Sequence, residues 1–136
     1  MRGATRLVGG GLDAVLGRLA PALAAPPEWA GREALVAAVN GVVGDRLAAS
    51  GNPLAIPMRL RVASPASGRI VLLAHGLCMN DLQWHRDGHD HGAMLARERG
   101  YTPVYLHYNS GRHISENGRE LARIAGHDRQ LAGSGR

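Results

Sequence analysis

The stretch RIVLLAHGLCMNDLQWH, residues 69–85, contains the pattern that decides the fold. Residues 70–74 form a continuous apolar run of strand length, which is typical of a strand buried on both faces of a sheet. His75-Gly76 follows at once, and we predict that the chain leaves the sheet there and enters a loop. This stretch is therefore interpreted as a strand and its outgoing loop, and the other elements are placed around it.

The residues after this stretch predict a helix, a strand and a second helix. Residues 92–99 have the length of a short helix, which Gly100 ends, and residues 104–108 have the composition of a strand. From residue 114 to about residue 125 the apolar spacing predicts another helix. The inward residues of this last helix are expected to be Ile114, Leu121 and Ile124.

The residues before this stretch change from helical to strand patterning. Residues 7–24 and 31–50 carry apolar residues at helical spacing, and breakers at residues 25–27 and 51–53 end the two segments. Residues 56–62 alternate apolar with polar residues, as a half-exposed strand does. The apolar face of the second helix is expected to consist of Leu35, Val36, Val39, Val42, Val43 and Leu47.

The order strand, strand, helix, strand, helix is that of an α/β sheet built from crossover connections. We divide the chain into a helical N-terminal region, residues 1–51, an α/β core, residues 52–125, and a tail, residues 126–136. The tail has one large apolar residue, Leu131, and so predicts no further buried strand. We expect it to be disordered or translated out of frame.

Size and charge narrow the possible partners. The chain has 136 residues, enough for one domain with a single core. Its 16 basic residues are all arginines, and with 11 acidic residues they give a net charge of +5, which raises the question of a nucleic-acid partner. The arginines are scattered and no aromatic residues interleave with them, so we expect a solvated surface and no nucleic acid.

The cysteine content and the apolar runs indicate a cytoplasmic protein. Cys78 stands alone and cannot form an internal disulfide, and no apolar run reaches the ~20 residues of a transmembrane helix. The first residues have early arginines and an Ala-Leu-Ala similar to the cleavage site of a signal peptide. Asp13 and Arg18 interrupt that segment, so an amphipathic helix is the preferred interpretation.

Three segments together resemble a known family. Residues 71–81, VLLAHGLCMND, are similar to the central strand and His-Gly oxyanion loop of α/β-hydrolases, in the branch of bacterial serine esterases and lipases. Residues 101–122, YTPVYLHYNSGRHISENGRELA, are similar to the next strand, loop and helix of that branch, and residues 51–62 resemble its lead-in. The resemblance covers roughly residues 52–124 and implies a partial doubly wound sheet, preceded here by helices.

The resemblance implies an oxyanion loop made by His75, Gly76 and Leu77, and it implies no cofactor. In such enzymes the backbone N–H just after His-Gly, here that of Leu77, helps to bind the negative oxygen formed from an ester or lipid ester. A fixed donor aimed at developing charge is worth ~3 kcal/mol of activation barrier. Glycine suits this loop because a Cβ would obstruct the approach of substrate to the backbone.

The chain departs from the family at the nucleophile. The serine of these enzymes lies in G-x-S-x-G on a sharp turn after a further strand, and the acid and the histidine follow it. Residues 1–136 contain no G-x-S-x-G, so we expect a truncated or frameshifted fragment that is inactive alone. An incomplete sheet exposes an unpaired strand edge, so we also expect poor solubility or a partner chain that covers this edge.

Residues 85–91, HRDGHDH, favour a different class of function, a small metal-binding protein. The candidate ligands are His85, Asp87, His89 and His91. Imidazole and carboxylate groups bind zinc and other divalent metals. Their spacing matches no standard zinc motif, and Arg86 places a positive charge among them. A solvated loop is the preferred interpretation and metal binding the alternative; a non-catalytic module that binds a partner chain is a third possibility.

Other reactive side chains have simpler interpretations. Cys78 has no base partner fixed by the sequence, so we expect a small, partly buried side chain. Ser110 and Ser115 are expected to be loop or helix-cap hydroxyls. Residues 126–128, Gly-His-Asp, resemble the start of an aspartate elbow but lack its second glycine. Trp84 is expected to pack in the core, or to line an acyl-binding cleft in a complete fold.

Overall fold

The computed structural model describes residues 11, 14–18, 21, 31–62 and 68–133, with side chains described through residue 126. From residue 31 onward the elements are, in chain order, α1 (Arg32–Ala49), β1 (Arg59–Val62), β2 (Arg69–Ala74), a short 3₁₀ helix (Asp81–Trp84), β3 (His85–Arg86), β4 (His89–Asp90), α2 (His91–Arg99), β5 (Tyr101–His107) and α3 (Ile114–Gly133). Helices accompany a mixed three-stranded sheet and a small two-stranded sheet. The prediction of a mixed α/β class is therefore confirmed.

The larger sheet has the strand order β1-β5-β2. β2 and β5 run parallel, with Ala74 beside Leu106, and α2 connects them along the chain. β1 runs antiparallel to β5 on its other side. A crossover through a helix is what parallel neighbours require. Because the carboxyl ends of β2 and β5 lie at the same edge of the sheet, the loops that follow them meet there.

β2 lies at one edge of the described sheet, and its burial differs from the prediction. Leu73 is buried, whereas Ile70 and Leu72 are 60% and 44% exposed. The prediction of a strand buried on both faces is therefore wrong for the described residues. A continuous apolar run is typical of an inner strand, but no described strand pairs with the outer edge of β2.

β5 begins at Tyr101, three residues before its predicted start, and runs through Pro103. Proline cannot donate to a strand ladder, which is why the sequence placed the start of the strand after it. Pro103 lies just beyond the pairing with β1, which ends at Val104. Among the described strands, β5 has only β2 as a neighbour at this point, and a proline is tolerated where one side of a strand is unpaired.

A hairpin of β3 and β4 stands where the sequence predicted an irregular polar loop. Its turn residues Asp87 and Gly88 have φ of 52° and 76°, as in a type I′ turn. Asp90 then caps α2, because its side chain accepts a hydrogen bond from the Ala93 N–H at 2.9 Å. Each strand of the hairpin has two residues, too few to produce an alternating pattern in the sequence.

α1 buries part of the predicted apolar face together with small and polar residues. Leu47 is buried, and Val36, Val39 and Val43 pack, partly buried, against the hydrophobic cluster that includes Leu47. The buried residues of α1 are Ala37, Asn40, Gly44 and Leu47. Leu35 and Val42, which were expected to face inward, are 41% and 76% exposed. The backbone of Val43 has non-helical angles, φ −131° and ψ 22°, and a kink of this kind changes which residues face inward beyond it. Apolar periodicity does not detect the small and polar part of a buried face.

α3 extends from Ile114 to Gly133 and so passes the predicted helix end near residue 125. A single glycine such as Gly126 costs about 1 kcal/mol of helix propensity but does not end a helix by itself. The predicted tail therefore begins inside a helix. Ile114 was expected to face inward and is 83% exposed, because it lies at the very start of the helix, whereas Leu121 and Ile124 are half-buried.

The remaining predictions concern the N-terminal helix and membranes. Residues 11, 14–18 and 21 are helical, and the rest of the predicted helix over residues 7–24 lies outside the described residues. Leu16 packs with Leu47 of α1 and Leu54 in a hydrophobic cluster. Among the described helices, none combines the length and the apolar character needed to cross a lipid bilayer.

Candidate functional site

The loop of residues 75–80, hereafter the 75–80 loop, leaves β2 at the carboxyl edge of the sheet. It begins and ends with buried polar residues, because His75 and Asn80 are only 5% and 3% exposed. Between them Leu77 is 66% exposed. The predicted oxyanion residues therefore form a loop that is fixed at both ends and open to solvent in its middle.

The loop that follows β5 holds the 75–80 loop from one side. The hydroxyl of Tyr108 donates a hydrogen bond to the His75 carbonyl at 2.6 Å, and the two rings stack with their centres 4.3 Å apart. The Ser110 hydroxyl oxygen accepts a hydrogen bond from the Cys78 N–H at 3.1 Å. Cys78 has a positive φ of 59°, a conformation that costs a non-glycine residue about 1–2 kcal/mol and is maintained here by these contacts.

α1 holds the same loops from the other side through its glycines. A Cβ on Gly41 would collide with the backbone nitrogen of Cys78, 2.6 Å away, and a Cβ on Gly44 would overlap the Asn109 side chain. The Asn109 amide in turn donates to the Gly44 carbonyl at 2.9 Å. The helix backbone therefore rests directly on both loops, and its glycines make this close approach possible.

Asp81 ties the end of the loop to the sheet. Its carboxylate side chain is 3% exposed and lies 3.2 Å from the Arg61 guanidinium of β1 and 2.7 Å from His107 Nδ1 of β5. The ion pair with Arg61 is a charge-assisted interaction, and hydrogen bonds to an ionised carboxylate are stronger than neutral ones. Asp81 therefore fixes the residue that follows the 75–80 loop to both neighbouring strands.

This arrangement leaves the Leu77 amide of the loop available as a hydrogen-bond donor. The Cys78 N–H donates to Ser110, and the Met79 N–H donates to the Gly76 carbonyl at 3.3 Å. Within the described part of the chain, the Leu77 N–H has no hydrogen-bond acceptor. The loop therefore presents the Leu77 N–H as a free donor, on a backbone held by its neighbours, at the carboxyl edge of the sheet.

The surroundings of His75 favour the neutral form of its side chain. Burial lowers the pKa of His75, and the hydrogen bond to the Gly76 carbonyl offsets this lowering only in part. Nδ1 lies 3.0 Å from that carbonyl oxygen, which can only accept, so Nδ1 carries the proton. The other ring nitrogen, Nε2, is therefore an acceptor.

A cleft of about 460 Å³ lies beside the loop. Its lining includes His75, Asn80 and Trp84 from the loop and the 3₁₀ helix, and Arg86 and His89 from the hairpin. The hairpin that the sequence did not predict is thus one wall of the cleft. Trp84, which was expected to pack in the core, is half-buried and contributes to the lining.

The candidate metal ligands are spread along the hairpin and the start of α2. His85 pairs with Asp90 across the hairpin at 3.8 Å, and Asp87 occupies the exposed turn. The rings of His89 and His91 meet edge to face with their centres 4.7 Å apart. Among the described residues, no group of three or more histidine, cysteine, aspartate or glutamate side chains is arranged to hold a metal ion.

The predicted minor roles are found in part. Cys78 is partly buried, and the Ser110 hydroxyl is a loop acceptor. Ser115 lies 2.8 Å from His113 Nδ1 at the exposed start of α3, a local contact away from the cleft. The backbone of residues 126–128 is helical, which does not form the sharp turn of an elbow.

Sequence reasoning missed the contribution of Asp81, Arg61 and His107. Asp81 lies 20 residues after Arg61 and His107 lies 26 residues after Asp81, so no local spacing relates them. The signal that was present is positional: a carboxylate follows the loop of one parallel strand, and a histidine ends the next strand. Such residues meet at the carboxyl edge of a parallel pair.

Replacing Tyr105 by Phe tests how the wall of the cleft responds to pH. The Tyr105 hydroxyl donates to Asp90 Oδ1 at 2.6 Å. Burial and this contact raise the pKa of Tyr105 to about 12. The pKa of Asp90 is lowered: burial alone would raise it, but hydrogen bonds from Tyr105 and two backbone amides outweigh that effect.

Because the pKa of Tyr105 in the folded protein exceeds its ordinary value of 10.0, the linked stability is fully present below about pH 10 and is lost between about pH 10 and 12. We expect the wild-type Tm to fall more steeply than that of Tyr105→Phe over this range. Tyr101→Phe, which removes a hydroxyl from the same strand, should keep the wild-type slope. Equal slopes for all three proteins would show that the Tyr105–Asp90 contact does not contribute.

No family model, curated protein or solved structure matches the chain. The function is therefore inferred from the residues and their geometry.

Proposed function

We propose that the α/β core of this chain is the oxyanion-binding part of an ester or lipid-ester hydrolase of the α/β-hydrolase type. The observation that carries the proposal is the free Leu77 N–H, which a rigid loop presents at the carboxyl edge of the sheet. The resemblance of residues 71–81 and 101–122 to that family is independent support, because it is read from the sequence alone.

The chemistry of ester hydrolysis requires such a donor. Attack on the ester carbonyl places a negative charge on its oxygen, and a donor fixed beforehand stabilises this charge without reorganising during the reaction. The 75–80 loop meets this requirement because Tyr108, Ser110 and Asp81 each hold a different part of it. A free amide in a mobile loop would not support the same proposal.

The topology of the sheet supports the same position for a site. In open parallel sheets, ligands bind beyond the carboxyl ends of the strands, at the point where successive strands are added to opposite sides. From β2 the chain crosses to β5 on one side, and the other edge of β2 is unpaired among the described strands. A further strand on that edge would place such a crevice at the 75–80 loop.

The proposal assigns the oxyanion donor to this chain, and the nucleophile to other residues. Residues 1–136 contain no G-x-S-x-G, and an oxyanion donor without a nucleophile does not open an ester. We therefore expect the chain of 136 residues to hydrolyse an activated ester such as p-nitrophenyl butyrate no faster than the same chain after heat denaturation.

The experiment that tests the proposal begins with the DNA that follows the codon of Arg136. We expect a reading frame there that encodes an apolar strand, G-x-S-x-G, an acid and a histidine. The joined polypeptide, in which these residues follow residues 1–136, should hydrolyse the ester. In that polypeptide Leu77→Pro, which removes the N–H, should lower kcat by about 10²–10³-fold. Leu77→Ala keeps the N–H and removes only an exposed side chain, so its kcat should stay within about twofold of wild type.

Two results would contradict the proposal. One is the absence of these motifs in all three reading frames, and the other is a Leu77→Pro variant that retains its wild-type Tm and also its full kcat. Thermal unfolding of both variants shows whether a lost activity reflects a lost fold instead of a lost donor.

A second candidate function, a module that binds a partner strand, is favoured by the outer edge of β2, with which no described strand pairs. Ile70 and Leu72 expose apolar side chains there, and an exposed apolar edge strand pairs readily with other chains. Under this proposal, the partner chain completes the sheet and covers these side chains.

Changing the edge should alter the association state. We expect the purified chain to self-associate, and the double variant Ile70→Lys, Leu72→Lys to be mainly monomeric because lysines on an edge oppose strand pairing. Val42→Lys, at a residue of α1 that is 76% exposed, adds positive charge elsewhere and should leave the association unchanged. Light scattering after size-exclusion chromatography gives the masses, and a monomeric wild-type chain would contradict the prediction.

A further inference from the structure

Three side chains that line the cleft have buried polar atoms without a hydrogen-bond partner among the described residues. These atoms are His75 Nε2, Asn80 Oδ1 and Trp84 Nε1. His75 and Asn80 are themselves more than nine-tenths buried. Buried polar atoms are almost always hydrogen-bonded in folded proteins, so several without partners around one cleft indicate that a ligand supplies the missing bonds.

The three atoms define the hydrogen-bonding groups of that ligand. His75 Nε2 is an acceptor, because Nδ1 of the same ring donates to the Gly76 carbonyl. Asn80 Oδ1 is an acceptor, and the Trp84 indole N–H is a donor. A complementary ligand therefore offers two hydrogen atoms to donate and one oxygen that accepts.

The charged groups of the lining favour a neutral ligand. A carboxylate or phosphate has only acceptor oxygens when fully ionised, and these would be repelled by the two acceptor atoms of His75 and Asn80. An ammonium group would donate well, but the Arg86 and Asp87 side chains of the lining pair with each other at 3.7 Å, so the aspartate is not a free counter-charge. A neutral ligand with several hydroxyl groups satisfies both conditions.

The apolar part of the lining suits the carbon atoms of the same ligand. Ala74 and Met79 lie beside the polar atoms in the cleft, and Trp84 contributes an indole ring as well as its N–H. An aromatic ring next to a few convergent polar atoms is the usual composition of a small-molecule site.

We propose that the cleft binds a neutral polyol, whose hydroxyl groups donate to His75 Nε2 and Asn80 Oδ1 and accept from Trp84 Nε1. The inference deepens the proposed function. It rests on that function in one respect: if the substrate is an ester, the polyol is its alcohol part. The binding itself involves residues 74–84 of this chain and requires no nucleophile.

The test is a titration of the full chain with glycerol. Binding is monitored through the indole N–H signal of Trp84 in proton–nitrogen NMR spectra. The sequence has one other tryptophan, Trp29. The variant Trp29→Phe removes its signal and so identifies the signal of Trp84. We expect a saturable shift at millimolar glycerol, and no saturable shift with dimethoxyethane, a molecule of similar size that cannot donate hydrogen bonds. Asn80→Leu removes one acceptor and should weaken glycerol binding by about tenfold.

Glu98→Leu is the control, because it also replaces a polar side chain by leucine but at an exposed residue of α2 outside the lining of the cleft. It should bind glycerol as the wild type does. If Asn80→Leu does not fold, Trp84→Phe replaces it: this variant loses the indole donor but keeps an aromatic ring, and it should also bind more weakly, with the side-chain amide of Asn80 as the NMR probe.

Equal shifts with glycerol and dimethoxyethane, or no saturable shift with either, would overturn the inference. The inference would also be overturned if Trp84→Phe and a folded Asn80→Leu both bound glycerol as tightly as the wild type does. The titration is independent of hydrolysis. Loss of glycerol binding with an active joined polypeptide would reject only the alcohol class, whereas glycerol binding without any hydrolysis would reject only the enzyme.

Discussion

Gly44→Ala is expected to lower the free energy of unfolding by about 3 kcal/mol. Gly44 is buried in α1, and a Cβ there would overlap the side chain of Asn109, whose amide donates to the Gly44 carbonyl. The added methyl group must displace Asn109 or move the helix away from the loop that follows β5. Either change breaks the buried hydrogen bond between them and adds the cost of an overpacked core.

Gly118→Ala provides the matched control in another helix. Gly118 is an exposed residue of α3, and a Cβ there would have no neighbour within 4 Å. Alanine has the higher helix propensity, so this variant should be more stable than wild type by up to about 1 kcal/mol. Urea denaturation followed by circular dichroism measures both changes. A Gly44→Ala variant as stable as Gly118→Ala would show that α1 does not contact the loop as described.

Asn40→Ala is expected to cost about 3–5 kcal/mol, because it leaves buried backbone groups without partners. The Asn40 side chain is fully buried. Its amide nitrogen donates to the carbonyls of Val36 at 2.8 Å and Leu54 at 2.7 Å, and its oxygen accepts from the Ile56 N–H at 2.9 Å. Alanine supplies none of these bonds, and each buried group left unpaired costs about 1–3 kcal/mol.

Val42→Ala is the control for the same helix, because Val42 is 76% exposed and its loss should change stability by no more than about 0.5 kcal/mol. Denaturant unfolding gives the energies, and hydrogen exchange at the Ile56 amide gives a local readout. We expect fast exchange at Ile56 in Asn40→Ala and wild-type exchange in Val42→Ala. A protected Ile56 amide in the first variant would mean that Asn40 is not its acceptor.

The sequence predicted the parts of the fold that depend on local patterns. The apolar run of β2, the helix ended by Gly100 and the strand after it lie next to each other in the chain, and their order alone indicates a parallel crossover. Gly100 has a φ of 67° and caps α2 as expected. The hairpin of β3 and β4 was missed because its Asp-Gly signal lies between strands of two residues.

The face of α1 could be predicted only in part from its own residues. Helical periodicity identifies the stripe richest in apolar side chains, and this stripe includes Leu47, which is buried, but also Val42, which is exposed. The rest of the buried face is set by other segments: Gly44 packs on the loop after β5, and the Asn40 side chain bonds to the segment between α1 and β1. Their positions become known only when contacts between distant residues are known.

Of the candidate site, the sequence predicted only the residues of the loop that follows β2. His75, Gly76 and Leu77 were identified by resemblance, and the structure places them in a rigid loop with a free N–H. The partners that hold this loop were not identified, because each comes from another segment: Asp81 contacts β1 and β5, and Cys78 contacts a residue 32 positions away. Geometry at this level depends on strand register, which sequence patterns do not define.

The contact between α1 and the loop after β5 has a consequence for the order of folding. The hydrogen bond from Asn109 to Gly44 joins residues 65 positions apart, and closing a loop of that length costs roughly 4 kcal/mol of chain entropy. Contacts of such long range form late and slow the folding rate. During synthesis the ribosome has to complete Asn109 before Gly44 can acquire its partner. Because Tyr108 and Ser110 of the loop after β5 also hold the 75–80 loop, we expect the position of the Leu77 N–H to depend on these long-range contacts and not on local folding alone.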